Sequence, residues 1–151
     1  MSQPPPRRGG PDDRAVIEAL QQAAYARNRE QLGVEPLPLL ADYASLLASH
    51  EFWLLDGAAA PRGLLVLEKR PKDLLIWSVA ASPVAQGQGV GTRLLDFAEV
   101  RARQLNRSTL RLYTGEKLIR NIAWYERHGY AVEEREVLAD RVLIHMVKTI
   151  S

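Results

Sequence analysis

Hydrophobic positions change their period along this chain, and each change marks an element. Residues 1–11 hold four prolines, two glycines and two arginines with almost no apolar bulk, which predicts a flexible tail. A single domain is expected over 12–151. Asp12 or Asp13 can cap a helix from Arg14 to Asn28, in which Val16, Ile17, Leu20 and Ala24 recur at helical spacing. Gly33, Pro36 and Pro38 break the chain before a second helix over Leu39–Ser49, with Leu40, Tyr43, Leu46 and Leu47 inward. The period then shortens. Phe52–Asp56 is a brief apolar run closed by the turn signal Asp56-Gly57, Gly63–Lys69 is the next strand, and Leu74–Ala81 is a third, stopped by Pro83. These three predict an antiparallel meander.

Helical spacing returns over Gly89–Leu105, with Val90, Leu94, Ala98 and Leu105 on one stripe. Thr109–Thr114 alternates, placing Leu110 and Leu112 on one face and Arg111 and Tyr113 on the other. Leu118–His128 reads as a helix closed by Gly129, and Tyr130–Val137 and Arg141–Lys148 as the last two strands. The order helix, helix, three strands, helix, strand, helix, two strands predicts an α/β (α+β) fold: a mixed, mostly antiparallel central sheet flanked by helices.

Composition narrows the chemistry. The 151 residues are 46% hydrophobic, enough for one packed core. With 20 basic against 18 acidic residues, the net charge of +2 argues against nucleic acid. Most basic residues are arginine, which favours anionic ligands. Cysteine is absent, so thiolate nucleophiles and thiolate metal sites are excluded. His50, His128 and His145 lack metal-ligand spacing, so no metal is expected. No apolar run approaches the roughly 20 residues of a membrane span, and the start does not read as a signal peptide; a cytoplasmic protein, monomer or homodimer, is the expectation. Phe52-Trp53 is either core or a dimer contact. The run Glu133–Glu136 reads as a solvated strand face.

The informative stretch is Ala81–Thr92, where a strand ends, Pro83 breaks it, and Gln86-Gly87-Gln88-Gly89-Val90-Gly91-Thr92 feeds a helix. The first turn of a helix offers unpaired N–H groups and partial positive charge to an anion. Glycines let the backbone approach phosphate oxygens, so a bulky residue at Gly89 or Gly91 is expected to intrude there. The loop is neither a Walker A motif nor a dinucleotide fingerprint. Taken alone, it is a phosphate seat or an ordinary strand-to-helix turn.

The pattern Gln86-x-x-Gly89-x-Gly91 after Ala81-x-Pro83 resembles the coenzyme A pyrophosphate loop of the GNAT acetyltransferases. Asn121–Tyr130, a helix ending in Tyr125-x-x-x-Gly129-Tyr130, resembles that family's second signature, and the likeness runs from about Phe52 to Lys148. The resemblance implies an acetyl-CoA-dependent N-acetyltransferase with no metal. Backbone groups of Val79, Ala80 and Ala81 would pair with the pantetheine arm. Amides of Gln86, Gly87, Gln88, Gly89, Val90, Gly91 and Thr92 would hold the pyrophosphate. Asn121 would bond the cofactor arm, or instead cap or bridge its helix. Tyr125 would lie near the thioester sulfur as a proton donor, its phenol being protonated at neutral pH; the plainer alternative is a core aromatic. The family's strand at Leu74–Ala81 is bulged and splays from its parallel neighbour.

Two departures matter. A first strand, which the family places before the first helix, falls on Pro4–Pro11, where prolines cannot donate to a ladder; it would be lost, very short or an edge. Relatives reading Glu-Asn-Val-Ala have here Trp77-Ser78-Val79-Ala80, so their general base is replaced. Glu116 is then the candidate base, with a solvated loop charge as its alternative, and Trp77 would line an acceptor pocket or pack in the core. The expected reaction is acetyl transfer to a small-molecule amine by direct attack in a ternary complex. Acetylation of a protein or peptide, or non-catalytic acyl-CoA binding, are the alternatives.

Overall fold

The computed structural model describes residues 4–151. Strands β1 (Arg7–Arg8), β2 (Glu51–Leu55), β3 (Gly63–Lys69), β4 (Leu74–Ala81), β5 (Thr109–Gly115), β6 (Ala131–Val137) and β7 (Val142–Thr149) form one sheet. Their order is β1-β2-β3-β4-β5-β7-β6, and only β4 with β5 is parallel. The helices are α1 (Arg14–Leu32), α2 (Leu37–Leu40), α3 (Tyr43–Ser49), α4 (Val90–Gln104) and α5 (Ile119–Arg127).

Strand β3 explains the layering. Its run Leu64-Leu65-Val66-Leu67 is wholly buried because both faces of the sheet are covered. Leu64 and Val66 pack with Ile17, Leu20 and Tyr43 from α1 and α3. Leu65 and Leu67 pack on the other face with Leu94, Leu95 and Ala98 of α4, against which Ile122 and Trp124 of α5 also lie. The sheet thus has α1–α3 on one side and α4–α5 on the other.

Two irregularities open this sheet. Val66 pairs with Ser78 but Leu67 pairs with Ile76, so Trp77 is the extra residue of a bulge in β4. Strand β4 pairs with β5 only over Leu74–Ile76, opposite Leu110–Leu112. From Trp77 onward the edge of β4 that faces β5 has no ladder partner.

Several expectations are corrected. Helix α1 runs to Leu32, stopped by Gly33 at φ 74°, whose N–H bonds Arg29 O at 3.1 Å. Val16 is 42% exposed, since the buried stripe follows Ile17, Leu20 and Gln21. The helix expected over Leu39–Ser49 is two helices: Ala41 is extended, and Asp42 starts α3 by accepting from Ala44 N–H at 3.1 Å. Leu40 consequently faces solvent while Tyr43 is buried. Asp13 stands at the α1 N-terminus but its carboxylate turns back to Gly10 N–H and Arg7.

The expected tail is fastened from Arg7 onward, where β1 forms a two-residue edge on Leu54 and Trp53; residues 1–3 lie outside the described residues. Phe52 is fully buried, and Trp53 packs on Phe97 beneath Arg8 and Arg101. The Glu133–Arg135 stretch of β6 is exposed.

Candidate active site

A cleft of about 320 Å³ occupies the gap where β4 leaves β5. Strand β4 contributes Ile76–Ala81, β5 contributes Tyr113–Gly115, α1 contributes Tyr25 and Asn28, and α5 contributes Asn121 and Tyr125. Gln86 lines it too, connecting the cleft to the glycine loop. Of the sequence-predicted residues, Trp77, Val79, Ala80, Ala81, Gln86, Asn121 and Tyr125 therefore share one wall system.

The loop has the properties of an anion seat. Gly87 and Gly89 adopt φ 82° and 75°, and a Cβ at either would meet no atom within 4 Å, so the backbone there is open. Gly89 is the N-cap of α4 without any side-chain cap. Arg93 N–H is the first to close back, on Gly89 O at 3.0 Å, which leaves the amides of Val90, Gly91 and Thr92 ahead of the first helical hydrogen bond. These features fit a diphosphate.

Gly91 differs from the expectation. A Cβ on it would meet Trp124 Cζ2 at 2.9 Å, so the glycine is required by packing between α4 and α5 rather than by access for phosphate. His128 strengthens that junction, with Nδ1 against Trp124 O at 2.8 Å and Nε2 against Thr92 Oγ1 at 3.1 Å.

Tyr125 is placed by the short amphipathic helix α5 and the turn at Gly129, φ 93°, after which Tyr130 N–H returns to Tyr125 O at 3.1 Å. Its ring packs between Trp124 and Tyr130, at 5.0 and 6.0 Å between centroids. The hydroxyl has no protein hydrogen-bond partner among the described residues, and burial pushes its pKa above the ordinary value. A phenol so placed stays protonated and is free to donate. Asn121, one turn earlier, likewise has no side-chain partner among the described residues, so it neither caps nor bridges its helix.

Sequence reasoning missed a polar cluster on the α1 side. Tyr25 hydroxyl lies 2.8 Å from Ser78 Oγ, which also accepts from Gln21 Nε2 at 3.1 Å. Burial pushes the Tyr25 hydroxyl up to about 12 despite the opposing bond from Ser78. The available signal was Gln21 and Tyr25 at i, i+4 beside the apolar stripe of α1. Trp77, the bulge residue, is half-buried and meets Tyr43 and His50 edge-on at 6.3 and 6.1 Å. It packs against the core beneath α1 while also lining the cleft.

Glu116 does not join this site. Its carboxylate forms a two-pronged ion pair with Arg135, which holds it below the usual carboxylate range. It lines a separate hollow beside Lys117 and Asp140. Among the described residues no group of three His, Cys, Asp or Glu side chains is placed to hold a metal, and no helix is long and apolar enough to cross a membrane.

The match to the Acetyltransferase (GNAT) family extends over residues 16–130, and the chain belongs to that family. Among solved structures, it resembles the ribosomal-protein-S18-alanine N-acetyltransferase of Escherichia coli with a TM-score of 0.80 at 18% identity, covering 97% of this chain and 93% of that one. It also resembles the PaiA N-acetyltransferase of Thermoplasma acidophilum, solved with coenzyme A, with a TM-score of 0.75 at 14% identity and 99% of each chain covered. At these identities the likeness establishes the fold. In sequence, 73 residues are 34% identical to the mycothiol acetyltransferase of Jonesia denitrificans, a match covering 48% of this chain but only 23% of that relative's length.

Proposed function

We propose that the protein transfers an acetyl group from acetyl-coenzyme A to a primary amine of a small molecule, by direct attack while both are bound. The observation that carries this reading is the parting of β4 from β5. It leaves the edge of Trp77–Ala81 free within the same cleft as the Tyr125 hydroxyl, and Gln86 joins that cleft to the open glycine loop.

Coenzyme A, when bound, supplies the acyl group as a thioester that an amine can attack without a covalent protein intermediary. Backbone groups of Val79, Ala80 and Ala81 would pair with its extended arm as an added strand does, and Asn121 would bond the same arm. Amides from Gln86 to Thr92 would hold the diphosphate. Tyr125 would donate its proton to the leaving sulfur. Among the described residues no carboxylate or histidine lines the cleft, so the proton of the amine leaves through water rather than through Glu116. Trp77 and Tyr25 would wall the acceptor on the α1 side.

The test is free thiol release from acetyl-CoA across a broad amine panel, beside calorimetric titration with coenzyme A. Release that collapses in Tyr125→Phe supports acetyl transfer. Tight coenzyme binding with no release for any amine selects a non-catalytic acyl-CoA-binding module instead.

A further inference from the structure

We infer that the acceptor amine carries an anionic group, of the kind an amino acid's carboxylate provides, and that Arg141 with Arg27 reads it. This inference rests on the acetyl-transfer reading and names the class of its acceptor.

The charges lining the cleft are of one sign. Arg27, Arg120 and Arg141 line it, and no Asp, Glu, Lys or His does among the described residues. The imbalance is local, because the whole chain carries 18 acidic residues against 20 basic. Outside the cleft many arginines pair with carboxylates, among them Arg7, Arg14, Arg29, Arg70, Arg111 and Arg135. Arg27 and Arg120 form no ion pair among the described residues.

Arg141 is the most constrained of the three. Its side chain is only 6% exposed, in the turn just before β7. The neighbouring Asp140 accepts from Nε at 3.1 Å and from Nη2 at 3.0 Å. Nη1 has no protein partner among the described residues. A packed guanidinium with an unused nitrogen is pre-organised for an oxyanion, because little side-chain entropy remains to be lost. An acceptor bearing only cations would meet the unpaired guanidinium groups of Arg27 and Arg120, and the cleft lining offers it no carboxylate among the described residues.

The phosphates of coenzyme A do not account for these groups equally. Gln86 is the one residue of the Gln86–Thr92 loop that lines the cleft. Arg120 adjoins Asn121 on α5, the side assigned to the cofactor, and is left to it. Arg27 lies on α1 between Tyr25 and Asn28, and Arg141 immediately precedes β7, so both belong to the acceptor side.

The experiment is calorimetric titration of the coenzyme A-saturated protein with N-acetylated amino acids, their matching carboxamides, and N-acetylated phosphoethanolamine. These probes are product-like, so the measurement does not depend on turnover. The expected result is that at least one acid binds about tenfold or more tightly than its amide. Arg141→Gln abolishes the difference, Arg141→Lys keeps part of it, and coenzyme A affinity stays unchanged in both. Arg27→Gln, at an exposed position that leaves the core intact, reduces the same preference. Preference for the phosphate over every carboxylate supports the anion and identifies its source. Amides binding as well as acids, no anionic probe binding at all, or an equal loss of coenzyme A affinity in Arg141→Gln overturns the inference. Failure of acetyl transfer itself shows separately, as absent thiol release with the binding preference intact.

Discussion

The indole of Trp124 occupies the space in front of Gly91, so that a Cβ at position 91 would stand 2.9 Å from Cζ2 and 3.0 Å from Cη2. The helix that carries Tyr125 is thereby locked onto the first turn of α4, and the His128 bonds to Thr92 and to Trp124 O reinforce the junction. Any diphosphate held at that turn is set at a fixed distance from the Tyr125 hydroxyl.

Gly91→Ala is therefore expected to destabilise the protein by about 1–3 kcal/mol, because the ring cannot move without disturbing the core around it. Urea denaturation measures this. Adding Trp124→Leu should recover part of the loss, and a double-mutant cycle with no coupling between the two positions would refute the packing explanation. Gly89→Ala has open space around it but φ 75°, so it should cost about 1–2 kcal/mol through backbone strain.

Tyr125→Phe should lower kcat by about a hundredfold while leaving the KM for acetyl-CoA within about twofold, as removal of a proton donor requires. Burial holds the phenol above its ordinary value of 10.0, so wild-type activity should show no alkaline fall below about pH 10. A descending limb near pH 8 would point to a different donor.

Glu116→Gln should leave kcat and KM within about twofold of wild type, since its carboxylate is engaged by Arg135 outside the cleft. A loss approaching that of Tyr125→Phe would restore Glu116 as the base.

Asp73 gives a pH-dependent stability prediction. Its carboxylate, 7% exposed, accepts from Arg70 at 2.6 and 2.7 Å and from Arg111 at 2.9 Å, and the Arg70 bonds chiefly hold its pKa below the ordinary value of 3.8. A carboxyl lowered on folding contributes stability in full above its unfolded pKa and loses it as pH falls through the folded value. Asp73→Asn should thus cost about 2 kcal/mol at neutral pH, and the gap should narrow once the pH is taken below the ordinary value of 3.8. Chemical denaturation of both proteins at the two pH values checks it.

Much of the fold was legible in the sequence because the signals are local. The stripe Val90–Leu94–Ala98 specified α4, the alternation of Leu110 and Leu112 specified β5, and Gly129 closed α5 at positive φ. Boundaries failed where tertiary partners intervened. Arg8 pairs with Trp53 across 45 positions to make an edge strand of a segment that composition assigned to a tail. Asp42 capped a new helix inside one apolar run.

The chain's own pattern of glycines and apolar periods specified the glycine-lined start of α4 and the helix bearing Tyr125, since each depends on conformational preferences within a few residues. The cleft between β4 and β5 arose from the folded arrangement. The bulge at Trp77 is defined by register against β3, the Tyr25–Ser78 contact joins residues 53 positions apart, and Glu116 is withdrawn by Arg135 of β6. Such contacts depend on how distant segments meet in space, and no local preference records them.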